Sequence, residues 1–102
     1  MNTIKRTAIF IDWLQNLKNR QAVAVINTRI KRAINGNFGD YKSVGGGVYE
    51  MRIPLGAGYR VYYAQDGETI YFLLNGGDKS TQQDDINKAK AIWADLKNNN
   101  GG

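Results

Sequence analysis

The stretch that decides the fold is Val48-Tyr49-Glu50-Met51-Arg52-Ile53, then Pro54-Leu55-Gly56-Ala57-Gly58, then Tyr59-Arg60-Val61-Tyr62-Tyr63. The outer segments alternate with the period of two that belongs to a β-strand. The middle segment holds a proline and two glycines and reads as a turn. Successive strand residues point to opposite faces. Tyr49, Met51, Ile53, Tyr59, Val61 and Tyr63 therefore share an apolar face. Glu50, Arg52, Arg60 and Tyr62 share the other, which is charged and is expected to face a polyanion.

Upstream, the chain reads as a strand and two helices. Asn2 to Arg6 is a short first strand, and Thr7 is placed to cap a helix. Phe10, Trp13, Leu14 and Leu17 follow at i, i+3, i+4 and i+7, one apolar stripe. Asn19 caps a second helix with Val23, Ile26, Ile30, Ala33 and Ile34 in its stripe, and Gly36 stops it. The pair reads as a helical hairpin that buries its stripes against a sheet. After the turn-rich Asn35 to Asp40 comes a short strand, Tyr41 to Val44, and then Gly45-Gly46-Gly47 bends the chain into the central hairpin.

Downstream, Asp66-Gly67 is a strong hairpin turn signal between Tyr59–Ala64 and Thr69–Asn75. Ile70-Tyr71-Phe72-Leu73-Leu74 is apolar on both faces, as a central strand is. Ser80 with Gln83 three residues on fits a capping box, with Asp84 and Asp85 in the favourable first turn. Ile86, Ala89, Trp93 and Leu96 give the last helix its stripe. Asn98 to Gly102 is expected to fray. The chain thus reads as one domain over residues 1–98 with a disordered C-terminal tail at 99–102.

Composition narrows the chemistry. The 102 residues are 42% hydrophobic and 23% charged, ordinary for a globular domain. There is no cysteine and no histidine, which removes thiolate metal sites, disulfides, and the commonest general base. No cofactor and no metal is expected. The apolar run Ala8–Ile11 is too short for a signal-peptide core, and no segment is long enough to span a bilayer, so a cytoplasmic location is expected. The net charge of +5 is unevenly spread. Residues 1–60 hold ten Lys and Arg against three Asp and Glu, whereas residues 61–102 hold four against six. That asymmetry suits a surface that attracts nucleic acid, or simply a solvated basic face.

Three ordered strings carry a resemblance: Gly36-Asn37-Phe38-Gly39-Asp40-Tyr41-Lys42-Ser43-Val44; Val48 to Ile53 with Gly58-Tyr59-Arg60-Val61-Tyr62-Tyr63; and Leu73-Leu74-Asn75-Gly76-Gly77-Asp78-Lys79-Ser80-Thr81-Gln82. From about Phe10 to Ile92 the chain resembles the RelE/ParE toxin superfamily, in its HigB-like branch of addiction-module killer proteins. The resemblance implies an α/β (α+β) RelE-like fold, a small antiparallel sheet flanked by an N-terminal helical hairpin and a C-terminal helix. It implies the toxin of a type II toxin–antitoxin system, an mRNA interferase that cleaves mRNA on the ribosome without a metal. It implies a cognate antitoxin with a helix-turn-helix domain as partner. The alternative within the superfamily is a non-enzymatic, ParE-like toxin that inhibits DNA gyrase.

Metal-free RNA cleavage by the 2′-hydroxyl needs charge stabilisation on the phosphorane and two proton transfers. Guanidinium groups suit the first need. Arg60, placed after Gly58-Tyr59 where the resemblance puts a catalytic arginine, is the first candidate. Arg52, across the hairpin, is the second, and Lys79 completes the catalytic set. Lys42, Tyr62 and Glu50 are candidates for RNA binding, Tyr62 by stacking or phosphate positioning and Glu50 as a base or as a partner that orients the arginines. The bland reading makes Arg52, Arg60 and Glu50 cross-strand ion pairs. Trp13, Trp93 and Phe10 read as core or partner-interface residues, and the apolar stripes of the first and last helices are expected to meet an antitoxin.

Overall fold

The computed structural model describes residues 1–100. The elements in chain order are β1 (Thr3–Arg6), α1 (Ala8–Gln15), α2 (Arg20–Ile34), β2 (Tyr41–Gly45), β3 (Val48–Ile53), β4 (Tyr59–Asp66), β5 (Ile70–Gly77), a 3-10 turn (Lys79–Thr81) and α3 (Gln82–Asn100). The strands form one five-stranded sheet in the order β1-β5-β4-β3-β2. The architecture is the mixed α+β arrangement expected of a small RelE-like fold.

Local chemistry sets the helix ends. The Thr7 hydroxyl accepts from the Phe10 amide at 3.0 Å and donates to the Leu74 carbonyl at 2.6 Å, so the α1 cap is tied to β5. Asn19 caps α2 through Ala22 N–H. At the other end of α2, Gly36 takes φ +92°. Its amide donates to the Ala33 carbonyl and that of Asn37 to the Arg32 carbonyl, both at 2.9 Å, a Schellman closure. Leu17 lies two residues past the end of α1 yet still packs on the core.

β2, β3, β4 and β5 pair antiparallel, as the two hairpin signals require. The fifth strand differs from the expected wholly antiparallel sheet: β1 runs parallel to β5. The N-terminus is held there by Thr3 N–H to the Thr69 carbonyl and by Asn2, whose backbone and side-chain amides donate to the Ile34 and Ala33 carbonyls. β5 is thus interior, which accounts for its apolar run.

The sheet is covered on both faces. On one face Phe10 of α1 and Ile26, Ile30 and Ala33 of α2 pack with Met51, Ile53, Val61, Tyr63 and Leu73 of the sheet. On the other, Val48, Tyr62, Ala64 and Leu74 of the sheet pack with Ile86, Ala89 and Trp93 of α3. This corrects the expectation of an open charged face on the hairpin. Every predicted face assignment along β3 and β4 holds, but α3 lies over most of the side that carries Glu50 and Tyr62. Trp93 is 7% exposed, and Trp13 is half-buried on the sheet. The large hydrophobic side chains most exposed beyond Met1 are Ile9, Ile11 and Tyr41.

The start of α3 also departs from expectation. Asp78, not Ser80, is the capping residue: its carboxylate accepts from the Ser80 amide and hydroxyl, and the 3-10 turn precedes α3. Ser80 is therefore not the cap of a capping box. Asp84 and Asp85 do lie in the first turn of α3. The tail expected at 99–102 overlaps the last helical residues at 99 and 100, and residues 101 and 102 lie outside those described.

Two glycines end β5 for a packing reason. A Cβ on Gly76 would overlap the Trp13 ring on one face, and a Cβ on Gly77 would overlap the Asp85 carboxylate on the other. Gly76→Ala is expected to destabilise the protein by about 1–3 kcal/mol through overpacking. In urea unfolding, the additional replacement Trp13→Leu should recover part of that loss, because the two residues share one space.

Candidate active site

The site is built on facing residues of β3 and β4. Arg52 sits directly opposite Arg60, and Glu50 directly opposite Tyr62. Like charges at facing positions repel. The carboxylate of Glu50 resolves this: its Oε1 lies 3.5 Å from Arg52 Nε and its Oε2 lies 3.3 Å from Arg60 Nε. Glu50 has no exposed surface at all. Its Oε2 also accepts from the Tyr62 hydroxyl at 3.1 Å and from the Gln82 amide at 2.9 Å. Four side chains from β3, β4 and α3 thus converge on one buried carboxylate. A carboxylate removed from water requires such partners.

The two arginines are not equivalent. The Arg60 side chain is 13% exposed, and its Nη1 donates to the Gly58 carbonyl at 3.0 Å. It is held at both ends. The Arg52 side chain is 38% exposed and has one ion-pair partner, so it is freer to reach outward. Its backbone, by contrast, is fixed. Arg52 N–H donates to the Asp40 carbonyl at 2.9 Å, and its own carbonyl accepts from Arg29 Nη1 at 2.7 Å. Arg29 also donates to the carbonyls of Phe38 and Asp40, and burial draws its pKa below the ordinary guanidinium value. Gly39, at φ +63°, leaves room for that guanidinium, where a Cβ would lie 3.0 Å from its central carbon.

Lys79 joins the arginines through Gly58. A Cβ placed on Gly58 would lie 3.4 Å from Lys79 Cβ and 3.6 Å from Arg60 Nη1, and Gly58 takes φ +75°. The backbone amide of Lys79 donates to the Ala57 carbonyl, which docks the 3-10 turn on the β3–β4 turn. Lys79 itself is exposed. Arg60, Arg52 and Lys79 are therefore brought to one end of the sheet. Lys42 is the cross-strand neighbour of Glu50 on β2, so it shares the face, and it is exposed at the margin.

The remaining two candidates are corrected by burial. Tyr62 has no exposed surface, so it cannot stack on a base; burial first, and then Glu50, raise its pKa above the ordinary phenol value. Glu50, equally buried, cannot touch RNA in this conformation. It acts instead as the partner that orients both arginines. α3 is the reason, since its first turn closes over these side chains. Gln82 and Arg29 were not among the residues singled out in the sequence. Gln82 lies inside the third quoted string, and Arg29 is the one α2 cation that turns inward. Neither position carries a periodic signal.

Glu50→Gln keeps the shape of the site and removes the charge that separates two facing guanidinium groups. It is expected to cost about 2 kcal/mol of stability in urea unfolding. Removing one of the repelling groups as well, in Glu50→Gln/Arg52→Ala, should cost less than the sum of the single changes.

Residues 12–95 match the family described as phage derived protein Gp49-like (DUF891). The chain is also 53% identical, over 93 residues, to an uncharacterized protein of Haemophilus influenzae, a match that spans 91% of this chain and 94% of that one. The family lies within the RelE/HigB-type toxin superfamily, is often toxin-like in toxin–antitoxin systems, and is associated with RelE-like toxins that are endoribonucleases. With its five-stranded sheet between helices and nearly all of its length matched, this chain belongs to the Gp49-like family of phage-derived proteins.

Proposed function

We propose that this protein is the toxin of a type II toxin–antitoxin pair, of the HigB-like kind, and that it cleaves mRNA at the ribosome in the cytoplasm. The observation that carries the reading is the pair of facing guanidinium groups, Arg52 and Arg60, held by one buried carboxylate with Lys79 beside them. A purely structural ion pair needs one cation. Here a second cation is present and part of its side chain is left outside.

In this reading the 2′-hydroxyl gives up its proton and attacks the adjacent phosphate, the P–O5′ bond breaks, and the leaving 5′-oxygen takes up a proton, which leaves a 2′,3′-cyclic phosphate. The negative charge that grows on the phosphorane is met by fixed cations. Arg60, restrained at Nε and Nη1, supplies the preorganised charge. Arg52, more exposed, binds and positions the phosphate. Lys79 and Lys42 are the exposed amines available for proton transfer or added charge. No metal takes part. The partner that silences the toxin is a cognate antitoxin with a helix-turn-helix domain.

Arg60→Ala is expected to lower single-turnover cleavage of mRNA on programmed ribosomes by about 10²–10³, the effect of losing one preorganised donor. Arg60→Lys should recover the charge but not the fork, and so only part of the rate. Arg52→Ala should act mainly on RNA affinity. A folded Arg60→Ala protein that cleaves at the wild-type rate would remove this face from catalysis.

Induction in cells separates the nuclease from a gyrase inhibitor. Pulse labelling should show incorporation of amino acids failing before that of thymidine. Early loss of DNA synthesis with translation intact would favour the gyrase alternative.

A further inference from the structure

Glu50 is reached from three directions, and one of them is the first residue of α3. Gln82 Nε2 donates to Glu50 Oε2 at 2.9 Å, the same oxygen that lies 3.3 Å from Arg60 Nε. Gln82 touches neither arginine in the hydrogen-bond network and is only half-buried. Its neighbour Gln83 faces out and donates to Asn87 on the same helix. We infer that Gln82 is a positioning residue: it fixes the rotamer of Glu50 from α3 and, through that carboxylate, the direction in which Arg60 points. The inference rests on the catalytic reading of Arg60 given above.

The physical case is one of restraint. Among the described residues, Glu50 Oε1 is buried without a hydrogen-bond partner, and Arg60 Nε makes only the ion pair. Among the described residues, the hydrogen bonds to the carboxylate therefore reach it at Oε2, where Tyr62 and Gln82 donate. Tyr62 approaches from within the sheet, on the strand that also carries Arg60. Gln82 is the donor that comes from outside the sheet. Its removal leaves the carboxylate free to turn toward Arg52, whose Nε lies 3.5 Å from Oε1, and Arg60 then loses its restraint at Nε. Small displacements of a charge-stabilising group lower the rate of the chemical step more than they lower binding.

The placement of α3 supports the same assignment. Asn75 Nδ2 on β5 donates to the Asp85 carbonyl, and the Thr81 hydroxyl donates to the Asp85 carboxylate. The first turn is thus pinned on both sides of Gln82, so its amide is delivered to Glu50 by a fixed support.

The test uses the full chain and two readouts. The first is solvent exchange of the arginine Nε–H protons by NMR, with the Arg29 signal as internal reference, since its clamp does not involve α3. In Gln82→Met, which keeps the length and removes the donor, exchange at Arg60 Nε–H should rise roughly tenfold, the scale of one hydrogen bond to a charged group. Gln83→Met should change nothing. The second readout is single-turnover cleavage, where Gln82→Met should lower the maximal rate about tenfold and leave the half-saturating RNA concentration unchanged. Should Gln82→Met fail to fold, Gln82→Asn, shorter by one methylene, carries the same expectations. Unchanged Arg60 exchange in a folded variant, or a loss confined to RNA affinity, overturns the assignment. Absence of cleavage by the wild-type protein would instead sink the nuclease reading, and the exchange measurement would still decide the positioning role.

Discussion

A carboxylate with no access to water, set between two guanidinium groups on adjacent strands, is the constraint that the rest of this structure serves. Desolvation makes an isolated Glu50 untenable, and β3, β4 and α3 each supply a partner. The same constraint locks the β3–β4 register. A slip of one residue would move Glu50 to the face where Met51 and Val61 pack beneath α1 and α2. It would also send Arg52 into that core. The hairpin is thus specified twice, once by its apolar alternation and once by its charges.

The site lies where the cover of α3 begins. Toward one end of the sheet, Val48, Tyr62, Ala64 and Leu74 are sealed under Ile86, Ala89 and Trp93. Toward the other, the sheet carries Arg52 and Arg60, and β5 ends in two glycines that let Trp13 and Asp85 close in from opposite sides. Burial of one part of a face makes the exposure of the other part specific. Arg60 is rigid because it sits at that margin, and Arg52 is looser because it lies one strand further out.

What the sequence disclosed and what it hid follow from the range of the forces involved. The alternation of Tyr49 to Ile53 and Tyr59 to Tyr63 settled both faces of the hairpin, and the caps Thr7, Asn19 and Gly36 are found where local chemistry placed them. These signals are local. The direction of β1 was not legible, because a four-residue strand reads the same in either sense and its partner lies far along the chain. The landing place of α3 was hidden for a similar reason: Ile86, Ala89 and Trp93 state that a face is buried, not against what. A clue stood in Val48 and Ala64, apolar residues on the side read as charged. Ser80 misled because an acid two residues upstream, Asp78, competes for the same amides; its pKa is lowered chiefly by the bond from the Ser80 hydroxyl. That Arg60 and Arg52 share a face was readable from the hairpin alternation, whereas Gln82 gains its meaning only from tertiary proximity.

The parallel pairing of β1 with β5 also has a consequence for the order in which the chain is made. Synthesis delivers Thr3–Arg6 first, yet the strand that receives it, Ile70–Gly77, emerges after every other strand, and the donor that completes the carboxylate's shell is Gln82. Until β5 and α3 have been made, the arginine pair lacks its support from Gln82 and the β4 edge lacks its partner. The site is therefore complete only once residue 82 has joined the fold, however early its two arginines are in place.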